Sequence, residues 1–251
     1  GLYGQAFNLA MKPVHLIAGA VSGVMLPALS RARNDDDAYR ALLTDFTRLL
    51  GLLLFPVGVG LAIVAPEVMN ALGGGRWSEA GGLLRVLAIV VPLQGFFNVM
   101  GSVYASIGRA DRLFVAALVS AILLTLGYPI GMALGQTAGD PVLGVAVSYA
   151  VVMALIFIPY IHHCLRLVQV ALVEFLRVAA PSFFASIAMG VVVVLGRFSL
   201  VHWTPFPLLA AQVFLGITAY GLFAQAEIRW AIAHWARPNR PEARDNSPSS
   251  S

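Results

Sequence analysis

Seven long apolar stretches constrain this chain more than any other feature. A helix needs about 20 apolar residues to cross the roughly 30 Å hydrocarbon core of a bilayer. The stretches lie at about 10–29, 45–65, 83–106, 113–134, 142–161, 178–196 and 206–224. None of them alternates apolar and polar residues along its length, so strands of a membrane barrel are not expected. Because backbone polar groups in lipid must be paired internally, the sequence predicts an all-α, polytopic transmembrane helical bundle of about seven spans.

The composition agrees with a chain that is mostly embedded in a membrane. Hydrophobic residues make up 59% of the 251 residues and charged residues only 11%, whereas about a quarter of the residues in a soluble domain are charged. The 16 basic residues include a single lysine, and the net charge is +4. Because the arginines lie between apolar stretches and form no single basic patch, we expect no nucleic-acid partner and no separate soluble domain.

The basic residues lie on alternate connections between the stretches. Twelve of the 16 belong to the connections after the first, third and fifth stretches and to the tail after the seventh. They are Arg31, Arg33, Arg40, Arg48, Arg109, Arg112, Arg166, Arg177, Arg229, Arg237, Arg240 and Arg244. Since basic residues are enriched in cytoplasmic loops, residues 1–224 are predicted to start outside and span the membrane, and residues 225–251 to form a cytoplasmic tail. The end of that tail is rich in proline, serine and charge, and is expected to be disordered.

A stripe of polar residues runs along the first apolar stretch. Its members are three or four residues apart, which is the spacing of one helical face. They are Gln5, Asn8, Lys12, His15, Gly19 and Ser22. An amine and an imidazole are costly against lipid, so such residues normally face a bundle interior or a water-filled path. Alternatively, Lys12 reaches the outer headgroups with its long side chain and His15 binds a neighbouring helix, and the sequence leaves both arrangements open.

A second polar stripe lies on the third apolar stretch. Gln94, Asn98, Ser102 and Ser106 are four residues apart and therefore share a helical face. Polar side chains in membrane helices commonly hydrogen-bond to a neighbouring helix, each contributing on the order of 0.6 kcal/mol. They can also form the wall of a water-filled cavity. The spacing favours helix packing and leaves the cavity wall as the alternative.

Small residues recur at intervals of four in the fourth and fifth stretches. Gly127 and Gly131 form one such pair, and Gly144 and Ser148 form another. Small side chains allow two membrane helices to approach closely. These pairs therefore predict tight helix packing and carry no chemistry of their own.

No arrangement of reactive residues predicts catalysis or cofactor binding. His162, His163 and Cys164 are adjacent, so their side chains diverge on a helix and a metal site is not expected. No Ser–His–Asp or Cys–His set stands out, and the glycines at 73–75 precede no phosphate-binding lysine. The sequence therefore predicts a membrane protein that is not an enzyme and uses no cofactor.

Two segments carry a family resemblance. The run "LYGQAFNLAMKP", followed by "GVMLPALSRAR", resembles the opening of the C-terminal half of bacterial polysaccharide flippases. These are the Wzx-type members of the multidrug/oligosaccharidyl-lipid/polysaccharide exporter superfamily. A later block, "WSEAGGLLRVLAIVVPLQGFFNVMGSVYASIGRADR", is similar to a second family segment. The positions that match most clearly are Tyr3, Ala6, Leu9, Pro13, Pro27, Ser30, Trp77, Arg85, Gln94, Asn98, Gly108, Arg109 and Asp111. The resemblance covers roughly residues 1–195.

The resemblance implies a function and a place for each stripe. The chain, which starts at Gly1, is expected to be the C-terminal lobe of a two-lobe exporter, with the N-terminal half of the same protein missing. Such exporters sit in the bacterial plasma (inner) membrane and work by alternating access. They move an oligosaccharide linked to undecaprenyl pyrophosphate to the outer leaflet for lipopolysaccharide or exopolysaccharide biosynthesis. The family's eighth span, which corresponds to the first span here, lines the central cavity. The resemblance therefore makes cavity-lining, substrate-binding candidates of a subset of the first stripe, namely Asn8, Lys12, His15 and Ser22.

The resemblance implies a different role for the second stripe, because the family's tenth span lies farther from the cavity. That distance favours helix packing for Gln94 and Asn98.

Other functions remain compatible with the sequence. A flippase for lipid-linked peptidoglycan precursors is a close relative and has a similar composition. A drug/cation antiporter of the same superfamily would need an acidic residue deep within a span, and these seven stretches contain none. A polytopic glycosyl- or acyltransferase is less favoured, since the loops are short and lack acidic or histidine motifs.

Overall fold

The protein folds as a bundle of long helices in the computed structural model, which describes residues 1–73, 77, 80–199 and 204–235. These residues form eight α-helices and no strand. The helices are α1 (Leu2–Arg31), α2 (Asp36–Gly73), α3 (Ala80–Ser106), α4 (Ala110–Thr137), α5 (Pro141–Leu167), α6 (Leu172–Ser199), α7 (Pro205–Phe223) and α8 (Gln225–Trp235). The first seven are long and apolar enough to cross a membrane. The predicted all-α transmembrane bundle is confirmed.

Each predicted span falls on one of these seven helices, but several helices run well past the predicted ends. Helix α2 has 38 residues, so at about 1.5 Å per residue it is roughly 57 Å long and extends beyond the hydrocarbon core. Helices α5 and α6 absorb most of the segment 162–177, which the span boundaries leave as a connection. A tight turn joins them, in which Gln169 adopts a left-handed backbone conformation with φ of 56°. Its side-chain oxygen accepts a hydrogen bond of 3.1 Å from Arg40 on α2.

The largest core lies where α3 packs against α1, α2 and α5. Most of α3 is buried, including Leu84, Leu87 and Tyr104, which are almost fully shielded. Helices α6 and α7 pack on another side of α2, where smaller apolar clusters form around Met189 and Ala185. Because α1 uses only one side to contact this core, its other side is left on the surface of the described bundle.

Ionic contacts attach α8 and α6 to opposite halves of α2. On α8, Glu227, Trp230 and His234 share one helical face because they are three and four residues apart. Glu227 forms a bidentate ion pair with Arg48 of α2. The guanidinium of Arg48 also lies 4.3 Å from the centre of the Trp230 ring. At the other end of α2, Arg197 of α6 lies 2.8 Å from the buried carboxylate of Glu67. The predicted start of the tail at residue 225 coincides with the start of α8, and its expected disordered end, residues 237–251, lies outside the described residues.

Candidate functional site

Helix α1 has one apolar face that packs and one polar face that does not. Ala10, Val14, Met25 and Leu29 are completely buried in the main core. They recur at the spacing expected for one side of a helix, and α3 and α2 cover that side. This packing fixes the rotation of α1 about its axis and therefore decides which residues remain on the outside.

The predicted cavity-lining residues of α1 lie largely on the part of the helix that this packing leaves uncovered. Asn8, Lys12 and His15 are exposed and Ser22 is half-buried, so this stripe borders the side of α1 that packs on the core. Lys12 and His15 have no ion-pair partner among residues 1–73, 77, 80–199 and 204–235. The face is not purely polar, since Leu16 beside it is 75% exposed. The set from Asn8 to Ser22 covers about 21 Å along the helix axis, which is most of the thickness of a hydrocarbon core.

Such a face can bind an anion along a path through the membrane. An ammonium group offers three hydrogen-bond donors, an imidazole at least one, and an amide two. Donors that carry charge make shorter and stronger hydrogen bonds to phosphate oxygens than neutral donors do. Because Lys12 and His15 lie one turn apart, a single phosphate-sized group can reach both. Their role in substrate binding stays a prediction.

The second polar stripe divides between two neighbouring helices. Gln94 accepts a hydrogen bond of 3.1 Å from Tyr149 of α5 and donates one of 3.2 Å to Asn98. At the other end of the stripe, Ser106 and Tyr39 of α2 are joined by a hydrogen bond of 2.7 Å. Ser102 and Ser106 are buried, whereas Asn98 is exposed. These contacts between helices support the packing interpretation at both ends of the stripe, and the role of the stripe as a whole stays a prediction.

Replacing Gln94 by leucine is expected to lower the stability of the protein modestly while leaving transport per folded molecule unchanged. The variant loses the hydrogen bond from Tyr149 to α3, which contributes on the order of 0.6 kcal/mol in a membrane bundle. Thermal unfolding of the detergent-solubilised protein measures the loss. Asn98→Leu is the control, because the hydrogen bond between Gln94 and Asn98 lies within α3 and joins no second helix. A Gln94→Leu protein of normal stability that no longer transports would show that Gln94 lines the path.

An aromatic cluster on the packed side of α1 could not be predicted from the sequence. Phe7 of α1 meets Tyr149 edge-on with ring centres 5.6 Å apart, and Tyr3 stacks on Phe7 at 6.0 Å. Tyr128 of α4 stacks on Tyr149 from the other side at 6.5 Å. The cluster therefore joins α1, α4 and α5, and its member Tyr149 is the residue that donates a hydrogen bond to Gln94. Its members are far apart in the chain and share no period.

The chain is similar in sequence to proteins of polysaccharide biosynthesis. A family model described as "Polysaccharide biosynthesis protein" matches residues 1–81. The teichuronic acid biosynthesis protein TuaB of Bacillus subtilis (strain 168) is 29% identical over 192 residues, which are 76% of this chain and 39% of that protein. The lipopolysaccharide biosynthesis protein WzxC of Escherichia coli (strain K12) is 26% identical over 152 residues, 61% of this chain and 30% of that protein. The predicted family resemblance is confirmed. The chain spans less than half the length of these two relatives.

A solved structure shares the fold. The lipid II flippase MurJ in its inward closed conformation superposes with a TM-score of 0.71 over 92% of this chain and 47% of that protein, at 20% sequence identity. The helices of this chain thus have the arrangement of about half of a known flippase. Together with the seven apolar helices, this makes the chain a multi-pass membrane protein.

Proposed function

We propose that this chain is one lobe of a transporter that moves a lipid-linked oligosaccharide from the cytoplasmic to the outer leaflet by alternating access. The observation that carries the proposal is the polar face of α1, which holds Lys12 and His15 on the outside of an otherwise well-packed apolar bundle. Charged groups in this position are costly against lipid and are usual on a water-filled path. The sequence relatives named for teichuronic acid and lipopolysaccharide biosynthesis support a polysaccharide as the cargo.

The chemistry of the face suits a lipid-linked pyrophosphate. We infer that undecaprenyl pyrophosphate carries the oligosaccharide and that its phosphates meet Lys12, with His15, Asn8 and Ser22 as further hydrogen-bond donors. A charge-assisted contact of this kind contributes roughly 1.5–3 kcal/mol. No step in this cycle breaks a covalent bond of the cargo, so the protein acts as a transporter and not as an enzyme.

The remaining wall of the cavity is proposed to come from an N-terminal half of the same protein. The chain corresponds to less than half of the flippase MurJ and of the two sequence relatives, and α1 offers only one side of a path. In the bacterial inner membrane, the arginine distribution favours a start of α1 outside and a cytoplasmic position for α8 and the tail.

A peptidoglycan precursor is the second candidate cargo, because the solved protein that shares the fold is a lipid II flippase. Expression of the intact protein in two bacterial strains distinguishes the candidates. We expect it to restore surface polysaccharide in a strain without its polysaccharide flippase. We expect no rescue of growth in a strain depleted of its lipid II flippase. Rescue of growth without surface polysaccharide would assign the peptidoglycan precursor, and failure in both strains would refute the proposed function.

A further inference from the structure

A groove between α4 and α5 lies away from the polar face of α1. Near one end of the bundle the two helices touch through glycines, but towards Arg112 they leave a groove of about 310 Å³ between them. That volume is at the low end of the range for ligand pockets, roughly 300–1,000 Å³. Most of the wall is apolar and comes from both helices, namely from Val115, Val119, Leu123, Leu155, Ile156 and Pro159.

One end of the groove is polar. Arg112 and His163 line this end together with the rings of Tyr104 and Tyr160. Tyr104 is completely buried and Tyr160 is 6% exposed. Within the described part of the chain, neither tyrosine hydroxyl has a hydrogen-bond partner. Because both hydroxyls are buried, the polar surface that a ligand can reach at this end is that of Arg112 and His163, which are exposed.

The polar end carries an excess of positive charge. Asp111 is the carboxylate nearest to Arg112, at 3.6 Å, and it also lies 3.4 Å from Arg109. One carboxylate thus faces two guanidinium groups, and all three side chains are at least two-fifths exposed. Basic pockets between membrane helices are the usual sites for anionic lipid headgroups.

The length of the groove matches one leaflet. Arg112 and Leu123 are eleven residues apart on α4, so at about 1.5 Å per residue the polar end and the apolar end are separated by roughly 16 Å. This is about half of a hydrocarbon core of roughly 30 Å. We propose that this groove binds an anionic phospholipid, with an acyl chain along its apolar wall and the phosphate at Arg112 and His163.

Native mass spectrometry of the intact, detergent-solubilised protein tests this site. Phosphatidylglycerol and phosphatidylethanolamine with the same acyl chains are titrated separately, since only the first has a net negative charge. We expect phosphatidylglycerol to bind about tenfold more tightly, and Arg112→Gln to remove about that factor, as the loss of one charge-assisted hydrogen bond predicts. Arg177→Gln on α6 is the matched control, because Arg177 is exposed, does not line the groove and takes no part in the Arg109–Asp111–Arg112 cluster. Equal binding by Arg112→Gln and the unmodified protein would overturn the proposal.

A second pair of variants tests the apolar wall. Val119→Trp fills the groove and is expected to abolish phosphatidylglycerol binding, whereas Leu118→Trp, one residue away and outside the groove, is expected to leave it intact. Thermal unfolding shows whether the variants fold. If Val119→Trp does not fold, the exposed Arg112→Gln variant alone decides whether the groove binds the lipid. Displacement of the lipid by inorganic phosphate alone would refute a lipid site. So would unchanged phosphatidylglycerol binding by a folded Val119→Trp protein.

Discussion

Gly131→Leu is expected to prevent α4 from docking and to remove most of the folded protein from the membrane. The buried residues of α4 are Ser120 and three glycines, so this helix packs through its smallest side chains. A Cβ atom at Gly131 would lie 2.6 Å from the carbonyl oxygen of Gly144 and closer still to Ser148, on a helix whose backbone cannot yield. Overpacking a core costs typically 1–3 kcal/mol, and we expect about 3 kcal/mol or more here because backbone atoms are in the way.

Membrane abundance and the unfolding temperature of the solubilised intact protein measure this loss. Gly82→Leu on α3 is the matched control, because a Cβ atom there meets nothing within 4 Å. Gly131→Ala should be intermediate, since it adds one methyl group at the same point. If Gly131→Leu is as abundant and as stable as Gly82→Leu, the close contact of α4 with α5 does not hold the bundle together.

Lys12→Glu is expected to abolish polysaccharide export in a protein of normal abundance. The substitution replaces the only lysine of the chain by a carboxylate that repels the phosphates of the proposed cargo. We expect export to fall by at least about tenfold, the factor that corresponds to a loss of about 1.4 kcal/mol. Lys12→Ala should lose less and Lys12→Arg least, because arginine keeps the charge. The effect on stability should be small, since Lys12 is exposed and takes no part in the core.

Surface polysaccharide in a flippase-null strain measures the export, and membrane abundance is measured beside it. Arg166→Glu is the control, because it reverses another exposed charge far from the polar face of α1. Wild-type export by Lys12→Glu would mean that Lys12 only reaches towards lipid headgroups. A comparable loss in Arg166→Glu would mean that the loss reflects total charge and not the site.

Periodicity predicted which residues share a face, but it could not predict what that face meets. The spacing from Asn8 to Ser22 placed these residues on one side of a helix, and in α1 the first three are exposed while Ser22 is half-buried. For the second stripe the same spacing gave a face, yet Gln94 binds α5, Ser106 binds α2, and Asn98 stays exposed. A helix surrounded by several others divides one stripe among them, and only the packed bundle shows how.

The sequence also could not predict which distant parts of the chain contact one another. The pairs Gly127–Gly131 and Gly144–Ser148 predicted close packing, and the structure adds that they face one another, with Ser148 donating a hydrogen bond of 2.6 Å to the Gly127 carbonyl. Nothing in the sequence connects Arg48 with Glu227, which are 179 residues apart. The spacing of Glu227, Trp230 and His234 indicates a shared face of α8. The contact of that face with Arg48 depends on how α7 positions α8 against α2, which the sequence does not show.

Thiol labelling of single cysteines tests most directly whether the polar face of α1 lines a water-filled path. A membrane-impermeant maleimide is applied to intact cells that make the complete protein, in which the buried Cys164 and every other native cysteine are replaced by alanine. His15→Cys and Ser22→Cys are compared with Ile122→Cys on the exposed apolar surface of α4. Gly139→Cys, expected outside, and Asn34→Cys, expected inside, report sidedness. We predict labelling at residues 15, 22 and 139, and none at residues 34 and 122. Labelling at 139 with residues 15 and 22 as unreactive as 122 would contradict a water-filled path along α1.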